Sequence, residues 1–416
     1  ALGGLLSVGF LSEVGTTQQD SLVSLFPLIS LLIILSSINS IKANQRTAIV
    51  AIIFAGILAG LGCGLKLVIA VYALALCLSF FVLPVSWFNR FKFSVIFSIA
   101  VLFGLLVSGG YWMYNIWSQF GNPIFPQFNH IFHGELANPE PILDIRFLPR
   151  SLFEKIFYPV IFTANPSRVN ELGYKQISWL VLYIAVIFFL ANRLVHSFRH
   201  TSVYRTLVPE AKFLIAFLCF GYLLWLNIFG IYRYLVPLEL LIPLILFVVI
   251  TTLFESNWAR VSAILLIGSI TIINLRGVLD YGHSAWTDQV YRADARELKK
   301  PGPAAVILAG QPLAWIIPAL DIRVPFIQVA PNFPVSEAYW LLARTMLYSR
   351  SGKIYIVREL DNPSIVKRTD SGLDNIGLAV DSNTCKVMNA YLGTTKFQYS
   401  YCELKKGKSE NENFGS

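Results

Sequence analysis

Thr47–Asn89 reads TAIVAIIFAGILAGLGCGLKLVIAVYALALCLSFFVLPVSWFN, a long run whose only charge is Lys66. A helix crossing the hydrocarbon core of a bilayer needs about 20 mostly apolar residues. This run is therefore long enough for two crossings joined at Lys66. The pattern recurs on both sides of it. Ser21–Ile41, Thr47–Leu65, Leu67–Asn89, Phe93–Trp112, Ile177–Asn192, Phe213–Tyr232, Tyr234–Phe254 and Val261–Leu275 are all candidate spans. With 14% charged residues and a mean hydropathy of +0.61, a water-soluble fold would have to bury all of them at once. The expectation is a polytopic α-helical membrane protein with about eight complete spans.

The formal net charge is +9, yet its distribution argues against a nucleic-acid partner. Alternating the spans across a membrane sorts the short loops into two sets. One carries Lys42, Arg46, Arg90, Lys92, Arg193, Arg199, Arg205, Lys212 and Arg260, and the other only Lys66 and Arg233. Basic residues concentrate in cytoplasmic loops, so the first set faces the cytoplasm. The hairpin Ser12–Asp20, the loop Tyr111–Gln176 and everything after about Arg276 then lie outside the cytoplasm, as expected for a multi-pass membrane protein. Cys63, Cys77 and Cys219 fall in apolar runs and read as inert core residues. Cys385 and Cys402 fall in the external part, where an oxidising compartment permits a disulfide, and they are expected to pair.

Residues 1–278 are expected to form the membrane domain, with 111–176 as a long external loop. Within that loop FLPRSLFEKIFYPVIF (Phe147–Phe162) has the mixed apolar and basic character of a helix lying in the membrane interface. Residues 279–405 read as a small external α/β domain. Strands are expected at Ala304–Gly310, Lys353–Leu360 and Phe397–Leu404, with a helix at Leu341–Ser349. Residues 406–416 read as a disordered tail. The chain opens on Ala1, and Ala1–Phe10 is apolar but too short to span. It reads as the outer end of a helix whose start precedes the chain.

There is no glycine-rich phosphate loop, no CxxC pair and no HExxH. His130 and His133, and His196 and His200, have helical spacing but read as solvated or interfacial side chains. The chemistry is left to polar groups at the outer membrane boundary. Glu13 and Asp20 bracket SEVGTTQQD, Lys66 joins two spans, and Arg233 sits in NIFGIYRYLVP with Glu239 just beyond. Ionisable groups at such depth are costly to place and mark function by default. The plain alternatives are that Lys66 and Arg233 snorkel and that Asp20 caps a helix N-terminus.

GTTQQDSLVSLFPL (Gly15–Leu28), AGILAGLGCGLKLVIAVYAL (Ala55–Leu74), YNIWSQFGNPIFPQFN (Tyr114–Asn129) and IYRYLVPL (Ile231–Leu238) together resemble membrane glycosyltransferases of the GT-C type. These include bacterial relatives of the protein mannosyltransferases and the lipid A aminoarabinose transferases. The resemblance implies transfer of a sugar from a polyprenyl-phosphate-linked donor to a lipid, glycan or protein acceptor on the outer face, in cell-envelope glycan biosynthesis. By that resemblance Asp20 matches a second, supporting acidic residue, while the family's principal carboxylate lies upstream of Ala1. Tyr114 stands where many relatives have Arg. Asp20 and Glu13 are the candidate catalytic carboxylates, and Lys66 and Arg233 the candidate ligands of the donor phosphate. Tyr232, Asn115 and Asn122 are candidate substrate contacts, and membrane lipids are expected partners. A divalent cation is left open as a cofactor, with no metal ligands assigned. A transporter or flippase of lipid-linked glycans and a non-catalytic scaffold are the competing readings.

Overall fold

A computed structural model describes residues 2–142, 144–199, 207–254, 256–279, 285–299, 303–310, 312–359 and 363–406, without the side chains of 196–199 and 363–365. His200, Arg205, His283 and the tail from 407 lie outside the described residues. The chain divides into two compact units, Ala1–Tyr114 with Leu143–His283, and Asn115–Ile142 with Ser284–Ser416. Within the expected loop 111–176, Asn115–Ile142 group with the unit that contains Ser284–Ser416, while 111–114 and 143–176 group with the helical unit.

The first unit is helical. Among the described residues five helices are long and apolar enough to cross a membrane: Arg46–Leu65, Trp87–Phe120, Ser178–Val195, Pro209–Ile228 and Asn257–Leu275. Tyr232–Glu239 and Ile242–Leu253 make a sixth only if taken together across a 50° bend. The other two expected spans are the shorter helices Asp20–Ser36 and Leu67–Val82. Local chemistry explains two of these shortfalls. Leu83 precedes Pro84 and turns to extended backbone, which stops the helix there. Pro243, lacking an N–H, sits in the first turn of Ile242–Leu253 just past the bend. The expected interfacial segment is a helix over Leu152–Ala164, started by Ser151 Oγ accepting from the Glu154 N–H at 3.2 Å. Of the cysteines read as core, Cys63 is buried, whereas Cys77 is half-buried and Cys219 exposed.

Small residues decide how closely helix Arg46–Leu65 is held. Gly56, Gly60 and Gly64 repeat every fourth residue and face Ala100, Gly104 and Ser108, which repeat likewise on Trp87–Phe120. A Cβ added at Gly56 would lie 2.6 Å from that of Ala100, and one at Gly60 would strike the Val101 carbonyl. Such spacing lets two backbones touch where lipid offers no hydrophobic drive to associate. Ser108 Oγ donates to the Leu61 carbonyl at 3.0 Å across this seam. On another side Gly62 lies against Phe26, and Ser30 Oγ donates to the Ala55 carbonyl at 2.8 Å. Lys66 follows directly from a helix fixed on two sides.

Among the described residues the second unit is built on a seven-stranded sheet, which contains the three expected strands and four more. These are β1 (Tyr291–Ala293), β2 (Pro303–Ala309), β3 (Phe326–Gln328), β4 (Lys353–Glu359), β5 (Leu378–Val380), β6 (Lys386–Leu392) and β7 (Thr395–Lys406). The order is β1-β6-β7-β4-β2-β3, with β5 also on β7. β2 is parallel to β3 and β4, and β4 is antiparallel to β7. Every residue of β2 is buried, as a strand covered on both faces requires. Val306 and Leu308 enter one core, while Ala305, Ile307 and Ala309 enter another with Trp340 and Leu347 of helix Glu337–Tyr348. β6 pairs Lys386 with Tyr401, which sets Cys385 opposite Cys402, and the two are joined in a disulfide. In the chain-entropy view a loop of this size adds about 3 kcal/mol.

The glycine seam makes a direct prediction. Gly60→Leu should destabilise the protein by about 1–3 kcal/mol through overpacking. Gly268→Ala, where an added Cβ meets nothing within 4 Å, should be neutral or stabilising by up to about 1 kcal/mol. Thermal unfolding of the purified variants in one detergent measures both. Equal melting points for Gly60→Leu and the parent protein would contradict the close packing.

Candidate functional site

The site grows from the hairpin Glu13–Asp20. Gly15 and Gln19 take left-handed backbone, and Thr16 returns both its N–H and its Oγ1 to the Glu13 carbonyl at 3.0 and 2.8 Å. This tight return brings the start of the next helix under Glu13. Glu13 Oε2 accepts from the Ser21 N–H at 2.9 Å and from Ser21 Oγ at 3.0 Å. Glu13 and Asp20 are each only 3% exposed. Glu13 Oε1 and Asp20 Oδ2 are buried with no hydrogen-bond partner among the described residues.

Lys66 arrives from the glycine helix. The helix ends at Leu65, Lys66 is extended, and its ammonium ion-pairs with Asp20 Oδ1 while donating to the Gln18 carbonyl at 2.7 Å. Arg233 arrives from the short turn Tyr232–Leu235. Its Nη2 lies 3.8 Å from Glu171 Oε1 and donates to the Tyr234 hydroxyl at 3.3 Å. Both cations lie over the Tyr234 ring, Lys66 at 5.6 Å and Arg233 at 5.0 Å from its centroid. Tyr72, on the helix after Lys66, donates its hydroxyl to the Tyr234 carbonyl and holds that segment in place. The Asp20 carboxylate lies within electrostatic range of Lys66, Arg233 and Glu171.

A third buried carboxylate supports the first two from behind. Glu239 is 1% exposed and accepts from the Tyr232 hydroxyl at 2.7 Å and from the Gly9 N–H at 3.1 Å. Gly9 has no room for a side chain, since a Cβ there would strike the Glu239 carboxylate. The helix Val8–Glu13 is thereby locked to the segment that carries Arg233. The sequence had marked Glu239 only as a neighbour of Arg233, and Tyr234, Tyr72 and Glu171 not at all. Tyr234 lay inside the IYRYLVPL motif beside Arg233, the one signal that pointed to it.

The structure brings Asp20, Glu13, Lys66 and Arg233 into one neighbourhood of the first unit. It treats the three candidate substrate contacts differently. Tyr232 is wholly buried and its hydroxyl is engaged by Glu239, so this side chain is structural in the observed state. Asn122 is also wholly buried, its amide shared between the Gln127 carbonyl at 2.9 Å and Asn129. Asn115 is half-buried near the end of helix Trp87–Phe120, and both asparagines belong to the second unit. Among the described residues no three His, Cys, Asp or Glu side chains gather closely enough to hold a metal ion. No protein-family model, curated protein or solved structure matches the chain.

Glu13 and Asp20 lie close in a dry setting, where two carboxylates resist ionising together, and Lys66 pairs with Asp20. Burial pushes the Glu13 carboxyl up to about 8, and the Asp20 charge adds to it. Between 4.5 and about 8 the folded chain then keeps a proton that the unfolded chain releases, so stability falls as pH rises through that window. Glu13→Gln should flatten this fall. Lys66→Met should destabilise by about 3–5 kcal/mol, because it strands a buried carboxylate. Adding Asp20→Asn to it should restore most of the loss. Melting curves of the singles and the double, recorded at two pH values, read the coupling; strictly additive effects would contradict the pair.

Proposed function

We propose that this chain is a membrane glycosyltransferase that moves a sugar from a polyprenyl-phosphate-linked donor to an acceptor hydroxyl at the outer face of the membrane. The observation that carries the reading is the ion pair between buried Asp20 and part-exposed Lys66, with one carboxylate oxygen unpartnered among the described residues and Arg233 close by. Lys66 directly follows a helix of crossing length, Arg46–Leu65, and the resemblance of the four motifs points the same way. In this reading the eight apolar segments cross or enter the membrane, the sheet unit lies outside, and the basic loops face the cytoplasm.

The chemistry follows from the charges. A donor phosphate entering the site needs paired cations, and Arg233 offers a planar fork while Lys66 offers a point charge. Drawing Lys66 toward the phosphate loosens its hold on Asp20. The freed carboxylate takes the proton from the acceptor hydroxyl as that oxygen bonds to the anomeric carbon. The bond from that carbon to the phosphate oxygen breaks, its electron pair leaves with the phosphate, and the two cations stabilise the growing charge. Glu13, protonated near neutral pH, sits behind Asp20 as a reserve proton carrier. No metal step is required by this route.

The test is turnover in liposomes supplied with a panel of radiolabelled polyprenyl-phosphate sugars, read as release of the free polyprenyl phosphate. Asp20→Asn, Lys66→Ala and Arg233→Ala should each cut turnover by about 100-fold or more, equivalent to about 2–4 kcal/mol of transition-state stabilisation. Wild-type rates in all three would sink the assignment. The 50° break between Tyr232–Glu239 and Ile242–Leu253 favours a second reading as a transporter of lipid-linked glycans, since such proteins build sites on broken helices. Movement of an intact labelled donor between leaflets, without cleavage, would select it.

A further inference from the structure

The second unit carries an apolar patch that its own cores leave uncovered. Helix Glu337–Tyr348 buries Trp340, Ala343 and Leu347 against the sheet. On its other side Leu341 is 61% exposed and Leu342 54% exposed, with Tyr348 one and a half turns on at 50%. Beside this stripe lies the segment after helix Trp87–Phe120. The two form the walls of a groove of about 750 Å³, lined by Phe120, Phe132, Leu136, Leu341 and Leu342, with His133 among its polar groups. Ile131 and Phe128 extend the same segment's apolar surface, 59% and 48% exposed.

The patch is held rigidly. Asn129 is 1% exposed and spends its side chain on the segment itself, accepting from the Gly134 N–H at 2.8 Å and donating to the Ala137 carbonyl at 2.7 Å. Phe128 and His133 flank it in left-handed backbone, a costly conformation for bulky side chains that is kept only where surroundings enforce it. A bridge between Ala137 and Val335, and the Asn138 N–H donating to the Pro334 carbonyl at 2.8 Å, tie the segment to the start of the helix. A rigid apolar surface made from two distant parts of the chain is not a fraying loop.

The occupant is given by where the patch begins. It starts at the end of Trp87–Phe120, a helix of crossing length. The last turns of that helix expose Tyr111, Trp112, Tyr114 and Trp117 by 82%, 67%, 65% and 58%. Exposed Trp and Tyr at a helix end mark the level of lipid headgroups. Phe120 lies less than one turn beyond Trp117 and already lines the groove. We infer that this face of the sheet unit docks on the outer surface of the bilayer, with Leu341, Leu342, Phe128, Ile131 and Phe132 set among the lipid headgroups and upper acyl chains. Interfacial insertion of this kind draws on buried apolar area without a spanning helix. The inference rests on reading the long helices as spans and not on the proposed reaction.

The test places a bimane fluorophore on single cysteines in the full chain, with Cys63, Cys77 and Cys219 replaced by alanine. The protein is reconstituted in nanodiscs of phosphatidylcholine and phosphatidylglycerol, with acyl chains plain or brominated near the headgroup. Emission from Leu341→Cys and Phe132→Cys should fall by about twofold or more on bromination. Val387→Cys, an apolar site 59% exposed on β6, serves as the control that should not change. Leu106→Cys, 62% exposed on Trp87–Phe120, should be quenched if that helix spans. Quenching at Leu106 without quenching at Leu341 and Phe132 would overturn the docking alone. No quenching at Leu106 would overturn the span reading beneath it. Emission at Leu341 that ignores bromine but changes with the protein-to-lipid ratio would assign the patch to a second copy and overturn the lipid assignment.

Discussion

A lysine and an aspartate paired inside an apolar helical unit constrain everything around them. Each ion would cost several kcal/mol to hold away from water alone, and their mutual attraction offsets that cost only with good geometry. Lys66 pairs with a carboxylate that is almost wholly buried, and a second of its three donors goes to the Gln18 carbonyl. The hairpin and the glycine helix must meet at this point for the pair to exist, and the Tyr232–Leu235 turn sets the Tyr234 ring against Lys66 and Arg233. A stability argument alone does not explain the arrangement, because apolar residues of similar size would serve a core as well. The unpartnered Asp20 oxygen and the nearby Arg233 are what a ligand-binding role explains.

The supporting structure is specified by small residues more than by large ones. Gly56, Gly60 and Gly64 set how near helix Arg46–Leu65 approaches Trp87–Phe120, and hence where Lys66 emerges. Gly9 sets how near the helix bearing Glu13 approaches Glu239. Tyr234 then spaces the two cations, with its ring under both and its carbonyl anchored by Tyr72. Packing on the order of ångströms is thus converted into the placement of charge.

The helical class was legible in the sequence because long uncharged runs admit few other readings. Their exact number as crossings was not. Hydropathy does not register that Pro84 ends one helix, that Pro243 begins another after a bend, or that the first run breaks near Ser37. Strands β2, β4 and β7 were visible as short apolar runs, but β1, β3 and β5 are three residues each and leave no periodic trace. At the site, Asp20, Lys66 and Arg233 stood out because charge is scarce there. Glu239 and Tyr234 did not, because their importance lies in contacts between segments far apart in sequence. The buried hydrogen bonds that Tyr232 and Asn122 make were likewise not legible, because their partners are set by the fold.

The central claim is that Lys66 and Arg233 form a seat for a lipid phosphate beside Asp20. An electron cryo-microscopy structure of the protein in nanodiscs with a polyprenyl monophosphate tests it most directly. The account predicts phosphate density within hydrogen-bonding distance of Lys66 Nζ and the Arg233 guanidinium, over the Tyr234 ring, with the Lys66–Asp20 pair opened. Phosphate bound elsewhere, or an unchanged Lys66–Asp20 pair in a fully occupied complex, would contradict it.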